Sequence, residues 1–165
     1  MPVDDAILNR TTWKLPNALA LIGSRAGDER NGMTASWVTQ LSMDPVLIGV
    51  GIDNTAVTHR LIAAGGSFTV NLWDATDTRV FVKFSKPATD DGATLNGRPV
   101  RAATTGAPIF EEAVAWMDCV VRHTIDLGTH TLFVGEVVDG AIRDDDARPA
   151  STQDTRMKYG GVKRH

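Results

Sequence analysis

The chain has 165 residues, 42% hydrophobic and 22% charged, the balance of one soluble globular domain. Its net charge of −3 and pI near 5.7 argue against the basic face of a nucleic-acid binder. No apolar run approaches the roughly 20 residues of a membrane span. The single cysteine, Cys119, cannot form an internal disulfide and fits a reducing cytoplasm.

The opening "MPVDDAILNR" lacks a charged-then-apolar leader pattern, and residues 1–12 read as an arm. "ALALIGSR" (18–25) predicts a strand between Pro16-Asn17 and Gly27-Asp28. Residues 33–42 alternate as a second strand, rich in hydroxyls: Thr34, Ser36, Thr39 and Ser42. Asp44-Pro45 breaks it, and "VLIGVGI" (46–52) predicts a third strand buried on both faces. The period then changes. Val57, Leu61 and Ala64 share a helical face, with Asn54 or Thr55 as cap and Gly65-Gly66 as stop.

"SFTVNLW" (67–73) returns to strand. "TRVFVKFS" suits a short helix or a strand end, and Asn96-Gly97 marks a tight turn between short strands. Two β-rich runs, 113–126 and 131–142, flank Leu127-Gly128-Thr129-His130 as a hairpin. "RDDDARPASTQD" reads as a solvated loop or tail, and "MKYGG" (157–161) as an ordered tail or as a segment that lays Tyr159 across a partner subunit or a ligand. Seven or eight short strands with one clear helix predict a mainly β, mostly antiparallel barrel with helical insertions.

Familiar catalytic and nucleotide-binding motifs are absent. The sequence holds no GxGxxG after a strand, no GxxxxGK[ST], no HExxH and no Gly-x-Ser-x-Gly elbow. His59, His123, His130 and His165 have no metal-ligand spacing, and no metal site is expected. What remains is a hydroxyl-rich strand followed by a helix start. Free N–H groups and the dipole make a helix start a natural anion site, and Thr55 and Thr58 add hydroxyls there. A ligand with a phosphate at one end and a polar-edged ring at the other suits both features. An ordinary capped helix and a sheet with a wet threonine face suit them too.

Several stretches, taken in order, resemble the flavin reductase-like, FMN-binding split-barrel proteins. "NGMTASWVTQLSMDPVLIGVGI" is similar to that family's signature strand pair. "NTAVTHRLIAAGGSFTVNLW" resembles the helix and strand that follow it. "KFS" (83–85), "LNGRPV" and "GTHTLFVGEVVDG" resemble its later loop and hairpins. The likeness runs from about Trp13 to Gly140.

The resemblance implies a single domain over 1–165, an FMN-binding split β-barrel with a Greek-key-like antiparallel sheet, working as a homodimer. It implies FMN, with FAD as an option, reduced by NADH or NADPH and serving a monooxygenase or another acceptor. It assigns Thr34, Ala35, Ser36 and Trp37 to the ring and ribityl chain, with Ser42, Asp44 and Pro45 shaping the turn beside the ring. Asn54, Thr55, Thr58 and His59 fall beside the phosphate, and Lys83, Phe84 and Ser85 in the loop that closes over it. His130 matches a histidine near the flavin and nicotinamide, the one catalytic assignment. Three positions depart from the pattern: Asn54 replaces a common lysine, Val46 a second proline, and Trp37 a serine. A flavoprotein electron carrier without reductase activity, or a split-barrel module for haem or a deazaflavin, are the alternatives.

Overall fold

The alternation in "ALALIGSR" divides one strand between two cores. In the computed structural model, which describes residues 2–163, β1 (Ala20–Ala26) sends Ala20 and Ile22 to one side. Leu21, with Leu19 just before it, goes to the other. β2 (Glu29–Ala35), β3 (Val38–Met43), β4 (Val46–Asp53) and β5 (Ser67–Leu72) follow. β6 (Thr94–Leu95), β7 (Arg98–Ala102) and β8 (Pro108–Phe110) form a small separate sheet. β9 (Ala115–Asp126) and β10 (His130–Ile142) are the long hairpin.

The main sheet runs β2-β1-β5-β9-β10-β4-β3 with every pairing antiparallel. The strand expected over 33–42 is therefore two strands. The chain leaves β2 at Ala35 on one edge and enters β3 at Val38 on the opposite edge. Only Ser36 and Trp37 separate them, so the sheet must curl until its edges meet. Between β2 and β3 no ladder closes among the described residues. The expected barrel is thus an open, curled antiparallel sheet with helical insertions.

The inner face of the curl packs Ile48, Val50, Ile52, Phe68, Val70 and Phe133 around Ile62 of α2 (Val57–Gly65). The outer face of β4 is covered as the apolar run predicts, but by glycine rather than bulk. Leu41 lies so close over Gly49 that an added Cβ would come within 2.6 Å of it, and Trp37 lies over Gly51. The second core gathers Leu19, Leu21, Trp73 and Phe110 with Val80 and Phe81 of α3 (Arg79–Lys83), so "TRVFVKFS" is helical. Asn96 and Gly97 both take positive φ, 50° and 79°, as a tight β6–β7 turn requires.

Two expectations about the termini are corrected. The arm is a helix, α1 (Asp5–Thr12), capped by Asp4, whose Oδ1 accepts the Ala6 N–H at 2.9 Å. It buries no residue, so it has no apolar stripe to read. The "solvated" stretch 143–154 is tied down in part. Ala150 is buried, Pro149 and Ser151 bridge to Asp74 and Ala18, and Ser151 and Asp154 form a capping box on a 3₁₀ turn.

One buried polar knot fastens the small sheet to the large one. Asn71 Nδ2 donates to the Leu21 carbonyl at 2.9 Å and to Thr69 Oγ1 at 3.0 Å, and its Oδ1 accepts the Phe110 N–H at 2.9 Å. Truncation leaves buried groups without partners, each costing about 1–3 kcal/mol. Asn71→Ala is expected to lower the urea unfolding free energy by at least that much. An unchanged midpoint would show that the knot contributes nothing.

Candidate functional site

The Ser36–Trp37 crossing leaves a seam, and beside it lies a cleft of about 390 Å³. Met33, Thr34, Ala35 and Ser36 form one wall, and Gly51, Asp53, Thr55 and Ala56 the facing one. Leu19, Ser85, Thr152, Met157 and Tyr159 complete it. Thr34 is held by α3: its N–H donates to the Phe84 carbonyl at 3.0 Å and its Oγ1 to the Phe81 carbonyl at 2.6 Å. Its proton is thus committed, and only lone pairs remain to face a ligand. Ser36 is nearly buried, and among the described residues its hydroxyl has no hydrogen-bond partner.

The helix start on the opposite wall is not capped as expected. Asp53 Oδ1 accepts both the N–H and the Oγ1–H of Thr55, at 2.8 and 2.7 Å, so Thr55 belongs to a turn before the helix. These bonds hold the Asp53 carboxyl below its ordinary pKa. The N-cap position of α2 is Ala56, which offers no side-chain acceptor, and the first turn has no acidic residue. The first-turn N–H groups of Val57, Thr58 and His59 thus have no intrahelical acceptor. No lysine or arginine among the described residues lines the cleft.

An adjoining hollow of about 470 Å³ lies beyond Tyr159, between Trp37, the β9–β10 turn and residues 160–163. His130 Nε2 is 2.6 Å from the Tyr159 hydroxyl, and its Nδ1 is 2.8 Å from Thr129 Oγ1. The Trp37 ring stands 4.6 Å from His130 and 4.9 Å from Tyr159, centroid to centroid. Burial pushes the His130 pKa down, with Asp53 opposing it. Burial, then Asp53, pushes the Tyr159 pKa up. Both rings are therefore neutral at pH 7.

Of the residues singled out from sequence, Thr34, Ala35, Ser36, Thr55 and Ser85 line the cleft. Trp37, Asn54 and His130 line the hollow. The others lie elsewhere. Thr58 stands in the first turn of α2, but its side chain is fully buried and accepts from Asn31 Nδ2 at 3.0 Å. His59 Nε2 meets Thr131 Oγ1, whose proton goes to Asn54 Oδ1, so His59 is the donor. Asn54 Nδ2 in turn donates to the Gly128 carbonyl at 2.7 Å, which fixes the turn before His130. Lys83 is exposed at the end of α3, and Phe84 is core, edge-on to Phe110 at 5.2 Å. Ser42, Asp44 and Pro45 stand at the far end of β3, roughly 20 Å along the strand from Trp37.

Sequence reasoning missed Leu19, Met33, Gly51, Asp53, Ala56, Thr152 and Met157. Only Asp53-x-Thr55 carried a local signal, that of an Asx turn. Cys119 is buried and its thiol is pushed up to about 12 by burial and by Asp118, so it packs and does not react. Among the described residues no helix is long and apolar enough to cross a membrane, and no His, Cys, Asp or Glu group is placed to hold a metal.

Comparison with known proteins is direct. A protein of Pyrococcus abyssi without assigned function is 38% identical over 128 residues, 74% of this chain and 72% of the relative. An NADH-dependent FAD reductase of Streptomyces globisporus is 30% identical over 141 residues, 83% of this chain and 76% of the relative. The solved NADH:FAD oxidoreductase of Streptomyces globisporus, in complex with NAD and FAD fragments, superposes with a TM-score of 0.78 at 25% identity. It covers 90% of each chain. The family model for the flavin reductase like domain matches residues 12–161, and this chain belongs to that family.

Proposed function

We propose that this chain is a flavin reductase that holds FMN or FAD in the seam cleft and reduces it with NADH or NADPH. The reduced flavin then serves a monooxygenase or another acceptor. A bound flavin would supply hydride acceptance and onward electron transfer. The observation that carries the reading is the cleft itself, an unpartnered Ser36 hydroxyl facing an uncapped helix start in a chain of this family.

The residues fit such a group. A volume of about 390 Å³ lies within the 300–1,000 Å³ of cofactor pockets. Leu19, Met33, Ala35 and Met157 offer apolar surface to a planar ring. Thr34 offers lone pairs to hydroxyl or ring N–H donors, and Ser36 either a proton or a lone pair. The free first-turn N–H groups of α2 would hold the phosphate, since the Thr55 and Ser85 hydroxyls already donate to Asp53 and to the Val82 carbonyl and the site lacks a cation among its described lining residues. The Asp53 carboxylate beside them is engaged by Thr55, which limits its repulsion of an anion. No side chain need act as an obligatory acid or base. The protein orients the rings and keeps water from one face.

The same outer face supports a homodimer. Leu41 (49% exposed) and Met43 (86%) stand on the edge strand β3, beside Val46 of β4. Ile125 and Leu127 continue the exposed apolar surface along the β9–β10 hairpin. An exposed apolar edge strand is a surface that a second copy would bury. Light scattering is expected to give twice the 17.7 kDa chain mass, and a monomer at micromolar concentration would remove this reading.

The purified chain with FMN is expected to oxidise NADH or NADPH faster than free flavin does. Ser36→Ala, which removes one hydrogen bond worth about 0.5–1.5 kcal/mol, is expected to weaken flavin binding about 2- to 10-fold. No nicotinamide oxidation above the free-flavin rate would sink the reductase reading.

His130 gives a pH signature. Its pKa is lowered on folding, so below an ordinary histidine value of about 6.5 the unfolded chain binds more protons. Stability is complete above that value and falls as the pH drops through the lowered folded pKa. The charged ring would donate from both nitrogens, so Thr129 and Tyr159 would both have to accept. Urea titrations at pH 7 and 5 are expected to show a smaller stability loss in His130→Gln than in the wild type. Equal losses would mean that His130 does not set this dependence.

A further inference from the structure

One wall of the cleft is not built on the sheet. Met157 and Tyr159 come from the C-terminal segment 157–162, which runs back over the seam. Tyr159 lines both the cleft and the adjoining hollow, as Asp53 and Thr55 do, so it is the C-terminal segment's share of the partition between them. Its ring leans on Trp37, and its hydroxyl meets His130 Nε2 at 2.6 Å. Gly160 packs so tightly on Trp37 that an added Cβ would lie 3.2 Å from the indole.

The segment is pinned at its other side to the N-terminal helix. Val162 N–H donates to Asn9 Oδ1 at 2.8 Å, and Trp13 Nε1–H donates to the Gly160 carbonyl at 3.3 Å. The Lys158 ammonium lies 5.0 Å over the Trp13 ring. Gly160 and Gly161 take φ of 104° and 89°, and a side chain at Gly161 would run into Asn9 Oδ1. The helix that receives these contacts buries no residue of its own. Helix and segment therefore hold each other by a few contacts at or near the surface, with Met157 packed against the second core. Such an element opens far below the cost of global unfolding, while the sheet stays intact.

We propose that residues 157–162 are a strap that closes over the bound flavin, with Tyr159 as its latch. Acting through His130, Tyr159 sets whether flavin stays as a bound cofactor or exchanges as a substrate. This rests on the flavin reading above. Tyr159 is a positioning residue here: its hydrogen bond keeps the strap down and does not touch the reacting atoms.

The test uses the full chain and FMN, with release followed by flavin fluorescence after displacement and capture by stopped-flow quenching. Tyr159→Phe keeps the ring on Trp37 and loses only the bond to His130. Gly161→Ala dislodges the strap from Asn9 without touching the cleft. Both variants are expected to release FMN faster, about 2- to 10-fold for Tyr159→Phe and more for Gly161→Ala. Capture is expected to speed up as well, so affinity changes less than either rate. A residue that merely shapes the wall would speed release without speeding capture, and that result overturns the latch. Release at the wild-type rate in both variants, with unaltered melting curves, overturns the strap while leaving the flavin reading intact. A wild-type chain that never quenches FMN fluorescence overturns the flavin reading and the strap with it.

Discussion

Two residues carry the chain from one edge of a seven-stranded sheet to the other, and most of the site follows from that constraint. β2 and β3 are consecutive in sequence but terminal in strand order. The sheet must therefore curl until Ala35 and Val38 lie within a two-residue span. Had the edges paired, their backbone groups and hydroxyls would be satisfied within a closed ladder. Because they meet without pairing, a slot remains whose polar groups await a partner. The walls arrive at this slot for separate reasons. α3 docks there because Thr34 satisfies carbonyls at its C-terminal end, and the hairpin turn docks through Asn54.

The electrostatics of the slot are unusual for a phosphate reader. The chain is acidic overall, and among the described residues the cleft has no cationic lining. An anion here would be attracted by orientation rather than by charge, through the unpaired N–H groups at a helix start, since the Thr34, Thr55 and Ser85 hydroxyl protons are already donated within the chain. Such an arrangement discriminates by shape and hydrogen bonding and gives little long-range steering. It agrees with the Asn54 departure from the family's usual lysine. Asn54 has been recruited to the β9–β10 turn, and its amide positions the backbone that carries His130.

The strands, the β6–β7 turn and α2 were legible because each has a local cause: alternation, a left-handed Asn-Gly pair, a 3.6-residue face ending at Gly66. The break at Ser36–Trp37 was not, since alternation of apolar residues runs through it undisturbed and only pairing partners reveal it. Sequence placed the hydroxyls correctly along the chain but not their partners. Thr34 turns to α3 and Thr58 to the buried Asn31, which leaves Ser36 as a cleft hydroxyl without a partner among the described residues. Ser42, Asp44 and Pro45 carried a strong motif likeness, yet β3 takes them away from the cleft. Tyr159 was open as a ligand contact but Met157 was not, because what places this segment is contact between parts of the chain about 150 residues apart.

That long-range contact explains why α1 and residues 157–162 are ordered without a core of their own. α1 has a cap and helical hydrogen bonds but no buried face, and an eight-residue helix is marginal alone. The segment 157–162 has no regular structure and takes positive φ twice. Each supplies what the other lacks: the helix a fixed acceptor in Asn9 and a donor in Trp13, the segment the backbone groups that meet them. The pair is anchored to the sheet where Tyr159 reaches Trp37 and His130, which border the hollow beside the cleft, and where Met157 packs on the second core. Ordering of the two ends and closure of the site are therefore one equilibrium. Whatever fills the cleft against Met157 and Tyr159 stabilises the closed arrangement by its own binding energy.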